Sequence, residues 1–322
     1  MNDHYPDRRT FLRHSALAAG AALLGAAASP LRQGSAGDRT PRSLRLGAPV
    51  FERHDDPQEL ALAHRRLGYR AAYCPSVTLD DKDRIRDIRQ GFARHDVVIA
   101  EVGRWCNLLD PDAAKRAENL GKVIEGLALA DEIGARCCVD IAGSFNPDVW
   151  YGPHPENLSG DFFDAAVENA KKIIDAVKPK QAKLAYEMMG WALPDGPDSY
   201  LAMVKAIGRD AFAVHLDPCN LINCPARFYR NTKLLNECFD KLGPWLVSCH
   251  AKDVTWDVEM QVHFREVVIG SGSLDWATCL RRLAALAGDV PLMIEHMQGP
   301  EEYDRSRARL LEVAKEVGVS FG

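Results

Sequence analysis

From residue 44 onward, short apolar runs rich in β-branched residues alternate with longer stretches whose apolar positions recur every three or four residues. The short runs predict eight strands, at 44–48, 71–74, 97–102, 137–141, 183–187, 213–217, 246–250 and 292–295. The longer stretches predict helices between the strands, such as those over 57–67, 113–133, 162–177, 199–207, 233–242, 276–286 and 300–317. In the second of these, Leu120, Val123, Ile124, Leu127 and Ala130 share one face, while Lys122, Glu125 and Asp131 fall elsewhere. Regular alternation of strand and helix predicts a parallel sheet, because parallel neighbours need a long crossover. Eight such units predict an α/β fold, a single (β/α)8 TIM barrel over residues 43–322. No Gly-x-Gly-x-x-Gly follows the first strand, which speaks against a doubly wound dinucleotide fold.

The segment ahead of the barrel has a different pattern. Arg8-Arg9-Thr10-Phe11-Leu12 precedes a weakly apolar run, 16–28, that ends in Ala26-Ala27-Ala28 before Ser29-Pro30. This predicts a twin-arginine signal peptide over 1–28, followed by a linker over 29–42 containing Gly34, Ser35, Gly37 and Pro41. The expectation is a protein that engages the twin-arginine export machinery and reaches the periplasm or the medium already folded. The apolar run is short for a bilayer span, so no stable membrane anchor is expected. Nine cysteines, an odd number without zinc-ribbon or thioredoxin spacing, predict buried free thiols.

Charge narrows the partners. Across 322 residues the formal net charge is -5, with no basic run beyond the N-terminus, so nucleic acid is not an expected partner. A homodimer or homotetramer is compatible with such a chain, and the sequence does not choose between them.

The chemistry gathers where the strands end. Active sites of such barrels lie at the C-terminal ends of the strands. Strand five runs into Glu187, strand six into Asp217, strand seven into His250 and strand eight into Glu295. An ionised carboxylate at a buried strand end is costly unless it is paired or binds a cation. Three carboxylates and an imidazole on one axis therefore predict a single divalent metal. The oxygen-rich ligand set suits Mn2+ best, with Mg2+, Co2+ or Zn2+ also compatible.

These residues and the phrases around them resemble the sugar phosphate isomerase/epimerase superfamily, the xylose isomerase-like barrels that include D-tagatose 3-epimerase and inosose dehydratase. The resemblance runs from about Leu44 to the C-terminus. It rests on Tyr186-Glu187-Met188, His215-Leu216-Asp217-Pro218-Cys219-Asn220, Cys249-His250-Ala251-Lys252-Asp253, Gly270-Ser271-Gly272-Ser273-Leu274-Asp275-Trp276 and Met293-Ile294-Glu295-His296. It implies that Glu187, Asp217, His250 and Glu295 ligate one divalent metal, and that Glu187 and Glu295 also exchange protons with opposite faces of a sugar through a metal-stabilised enediolate. The epimerases carry a histidine three residues past the strand-six aspartate and an arginine six past the strand-seven histidine. This chain has Asn220 and Trp256 there.

Substrate contacts are expected from Glu101, Trp105 and Asn107 after strand three, His154 after strand four, Trp191 after strand five, and Asn220 and Lys252 beside the ligands. Trp150 and Tyr151 are expected near the mouth as a lid. His215, two residues before Asp217, faces the same interior and is expected behind the ligands or against substrate. The leading functional expectation is an isomerase or epimerase of a sugar, keto-sugar or cyclitol. A lyase or dehydratase acting on a 3-keto-glycoside or an inosose-like substrate shares its first step. An endonuclease IV-type enzyme would need further histidines and a basic groove, and a non-catalytic sugar-binding protein would have no need of both glutamates.

Overall fold

The computed structural model describes residues 43–322, so the expected signal peptide and linker lie outside the described residues. The eight barrel strands close in the order β1-β10-β7-β6-β5-β4-β3-β2, each parallel to its neighbours. They are β1 (Leu46–Gly47), β2 (Ala71–Tyr73), β3 (Val98–Gly103), β4 (Cys137–Asp140), β5 (Lys183–Glu187), β6 (Phe212–Leu216), β7 (Leu246–Ala251) and β10 (Leu292–Ile294). Closure rests on β1, where Leu46 faces Leu292 and Gly47 faces Ala71. A Cβ on Gly47 would meet Met293 Sδ at 2.5 Å and the Ala71 carbonyl at 2.6 Å, so the barrel closes there only with glycine.

Helices α1 (Pro57–Arg66), α2 (Lys82–Arg94), α3 (Ala113–Ile133), α4 (Gly160–Val177), α5 (Pro197–Ile207), α6 (Pro225–Tyr229), α7 (Asn231–Leu242), α8 (Trp276–Ala284) and α9 (Pro300–Glu316) surround the strands. The ends of α3 show why the sequence sets its limits. The Asp112 side chain accepts from Ala114 N at 2.7 Å, and Gly134 leaves the helix with a left-handed φ of 80°. The main core lies between helices and barrel, while small residues such as Ala71, Ala100, Cys137, Val139 and Ala185 fill the interior in two separate clusters. That interior is closed by side chains rather than open as a pore.

Besides the short helix α6, two features depart from the predicted pattern. Helix α2 occupies 82–94, outside the predicted ranges, because Ile85, Ile88 and Phe92 form a narrow buried stripe within a mostly charged segment. An antiparallel hairpin, β8 (Asp253–Asp257) and β9 (His263–Val267), leaves the barrel immediately after β7, pairing Trp256 with Phe264. Its base is held by Asp253, whose carboxylate accepts from the backbone of Gly270 at 2.9 Å, Gly272 at 3.2 Å and Leu274 at 3.0 Å. The Gly-Ser-Gly-Ser-Leu-Asp-Trp stretch thus meets the aspartate of Cys-His-Ala-Lys-Asp as a loop staple. Among the described residues, no helix is long and apolar enough to cross a membrane, and all nine cysteines are free.

Candidate metal centre

Parallel strands that end at one height deliver their last side chains to one place. Glu187 closes β5, Asp217 follows β6, His250 lies within β7 and Glu295 follows β10. One ligand atom from each lies within 4.8 Å of all the others. His250 Nδ1 is 2.7 Å from Glu187 Oε1, 3.0 Å from Glu295 Oε2 and 3.7 Å from Asp217 Oδ2. Asp217 and His250 are fully buried, and the two glutamates nearly so.

Lys252, two residues past His250, is the cation among them. Its Nζ is 2.5 Å from Glu295 Oε1, 2.8 Å from Asp217 Oδ2 and 3.2 Å from Glu266 of β9. Although close, the ammonium lies off the hydrogen-bonding direction of Asp217 Oδ2, and that buried oxygen accepts no hydrogen bond. Burial alone would raise Asp217; the Lys252 ammonium and the His250 imidazole more than offset it and hold the carboxyl well below its usual range. Glu187 ends on the other side of the balance, pushed up by burial despite its bond to His250. Burial works against charge on both His250 and Lys252, and the surrounding carboxylates overcome it and raise each.

The residues fit a divalent ion on three observations. The donor atoms converge, one buried oxygen is left without a hydrogen bond, and the donor set of three carboxylates is only partly balanced by Lys252. An imidazole with three carboxylates is a donor set for Mn2+, Mg2+ or Co2+.

Behind this centre lies a second buried group. Glu101 of β3, 1% exposed, takes His250 Nε2 at 2.9 Å and His215 Nε2 at 3.0 Å, and Ser248 Oγ donates to it at 3.3 Å. Burial would raise this carboxyl, but the two imidazoles hold it well below its usual range. In front, a cavity of about 900 Å³ reaches the centre, lined by Trp105, Trp150, Tyr151, Asn220, Lys252, Glu266 and His296, with Glu101, Glu187 and Glu295 at its floor. The Trp105 ring centroid lies 6.3 Å from that of His250.

Of the residues predicted for substrate, Glu101, Trp105, Asn220 and Lys252 line the cavity, and the others lie elsewhere. Asn107 is buried, donating to Ser144 O at 2.7 Å and accepting from Ser144 N and Leu109 N, so it folds its own loop. His154 Nδ1 accepts from Glu156 N at 3.2 Å and caps a 3-10 turn over Pro155–Leu158. Trp191 is 60% exposed and outside the cavity lining. His215 sits behind the centre on Glu101. Asn220, at the place of the epimerase histidine, donates to Met188 O at 3.1 Å. Trp256 stacks on Phe228 in the hairpin, outside the lining.

Sequence reasoning missed Glu266 and His296. The signal for Glu266 was the pair of five-residue runs that form the hairpin. His296 adopts a left-handed φ of 58° and bonds Glu266 Oε2 at 2.8 Å, the kind of backbone outlier that gathers at functional sites.

Comparison with known proteins agrees with the architecture. The family model for xylose isomerase-like TIM barrels matches residues 46–313. No curated protein matches the chain. Among solved structures, a xylose isomerase-like TIM barrel protein from Mycobacterium smegmatis in complex with magnesium is 18% identical, with a TM-score of 0.58 over 85% of this chain and 97% of that one. A xylose isomerase domain protein from Planctomyces limnophilus is 16% identical, with a TM-score of 0.61 over 86% and 98%. The 3-keto-D-glucoside 4-epimerase from E. coli is 13% identical, with a TM-score of 0.59 over 84% and 100%. At these identities the likeness is one of fold.

Proposed function

The chain belongs to the family of xylose isomerase-like TIM barrels, and on that premise we propose that it is a divalent-metal-dependent isomerase or epimerase of a sugar, keto-sugar or cyclitol. One observation carries the reading: Glu187, Asp217, His250 and Glu295 offer ligand atoms within 4.8 Å of one another, and two of them, Glu187 and Glu295, line an aromatic-walled cavity. These four residues would hold the ion. When bound, it supplies Lewis-acid stabilisation of negative charge on a substrate oxygen.

The chain's own residues do the rest. Glu187 and Glu295 enter from strands on different sides of the barrel, so one can take a proton from a carbon and the other return one from the opposite face. Lys252 presents an ammonium to substrate oxygens at the same floor, held by Glu266 and Glu295. The Trp105 ring beside His250 offers a face for a sugar ring. Mn2+ is the ion we propose. The reading includes export in folded form through the twin-arginine machinery, supported by Arg8-Arg9 and the apolar run behind them and by nine cysteines that need no oxidative pairing.

A lyase acting on a 3-keto-glycoside is the second reading. The 900 Å³ cavity favours it, since that volume lies near the top of the roughly 300–1,000 Å³ range of ligand pockets and leaves room beyond a single sugar ring. Incubating the Mn2+-loaded protein in D2O with a panel of keto-sugars and glycosides tests both. Deuterium incorporation with a changed stereocentre supports the epimerase, and release of water or an aglycone supports the lyase. No exchange with any substrate, with and without metal, would sink both.

A further inference from the structure

We propose that Glu101 is the positioning residue of the metal centre: it fixes the tautomer and orientation of His250 from behind, and so presents the Nδ1 lone pair to the ion. The inference rests on the proposed reading of His250 as a ligand and adds a role that no likeness of fold assigns.

The geometry carries it. The two nitrogens of His250 face opposite partners, Nδ1 toward Glu187 and Glu295, and Nε2 toward Glu101 Oε1 at 2.9 Å. A neutral imidazole has one N–H donor and one lone pair, and a carboxylate can only accept. Carboxylates on both sides favour a proton on each nitrogen while no ion is bound; with an ion at Nδ1, Glu101 would keep the one remaining proton on Nε2 and leave the Nδ1 lone pair to the ion. A carboxylate behind a ligating imidazole also raises its basicity.

Glu101 is itself fixed. Its other oxygen accepts from His215 Nε2 at 3.0 Å and Ser248 Oγ at 3.3 Å, with all three residues buried. The His215 and His250 rings meet edge to face at 4.1 Å, which prevents His250 from turning over. Glu101, His215 and His250 also converge closely enough to raise the question of an ion of their own. Both oxygens of Glu101 take hydrogen bonds from the rings, whereas Asp217 Oδ2 in the first cluster takes none, so one ion per chain is expected.

The test compares purified wild-type protein with Glu101→Gln by Co2+ titration calorimetry and by long-range 1H–15N NMR of the Zn2+-loaded protein. A glutamine can turn its NH2 toward His250 Nε2 and so favour the wrong tautomer. The expected result is one Co2+ per wild-type chain, about 10- to 100-fold weaker binding in the variant, and His250 protonated at Nε2 only in the wild type. Wild-type affinity in Glu101→Gln, an unchanged tautomer, or two Co2+ per wild-type chain would each overturn the proposal. If Glu101→Gln fails to fold, Ser248→Ala decides: roughly threefold weaker binding supports the role, and unchanged affinity refutes it. A wild type that binds no divalent ion would instead count against the metal reading itself.

Discussion

The two ends of this barrel both gather charge, and they do it in opposite ways. At the N-terminal end, two carboxylates meet three guanidiniums. Asp289 pairs with Arg45 at 2.7 Å and Arg136 at 2.8 Å, and Asp96 pairs with Arg45 at 2.9 Å and with Arg70. The two aspartates are 34% and 48% exposed, so water shares the load. At the C-terminal end, Glu101, Glu187, Asp217, Glu295 and Glu266 surround one lysine and three histidines, His215, His250 and His296, and all but Glu266 and His296 are buried. The first arrangement balances its charge where it stands. The second is short of positive charge in a place where shortage is costly, and that marks it as a site for a ligand.

The largest effect should come from Glu295→Gln, which keeps the shape and removes one proton-transfer group. Deuterium incorporation into substrate should fall about 10²- to 10⁴-fold with an unchanged circular dichroism spectrum; undiminished exchange would remove Glu295 from the proposed chemistry.

Next is Asp140 at the end of β4, buried and pushed up to about 7. The cause is burial, partly offset by bonds from Cys106 N at 3.0 Å and Ile141 N at 2.9 Å. A carboxyl raised in the folded state contributes stability that is present below its unfolded value and lost as pH rises through the folded one. Wild type should therefore lose stability relative to Asp140→Asn between pH 3.8 and about 7, by at most about 4 kcal/mol. Denaturant titrations that run parallel across this window would refute it.

A smaller effect is expected from Glu187→Gln in the presence of chelator. Glu187 is also raised, so at neutral pH its ionised form opposes folding. Neutralising it should raise the melting temperature by about 2–4 °C, the equivalent of roughly 1 kcal/mol, while abolishing the further rise that metal gives the wild type. A lower melting temperature in chelator would mean that this end is not strained by charge.

The smallest effect belongs to the other end. Asp289→Asn weakens two partly exposed pairs and should cost about 0.5–1 kcal/mol, less at high salt, with metal affinity and exchange unchanged. Loss of metal binding in that variant would erase the contrast between the two ends.

The four strand-end residues were legible because each closes an apolar run, and the end of a parallel barrel strand is where such a residue must point. Lys252 and Trp105 were legible for a similar reason, being offset from a strand end by a short count. Asn107, His154 and Trp191 have the residue types of a sugar site, yet their positions depend on how long loops turn, and a residue type does not reveal that. Helix α2 escaped notice because Ile85, Ile88 and Phe92 are too few to stand out among charged neighbours.

Local periodicity and strand endings were enough to specify the barrel and the meeting of its four strand-end side chains, since both follow from repeats a few residues long. The pairing of Glu101 with His250, 149 positions apart, and the return of Glu266 on a hairpin to Lys252 came from the closed fold alone. Those contacts depend on which distant strands become neighbours and how deeply they are buried, and a linear order of residues carries neither.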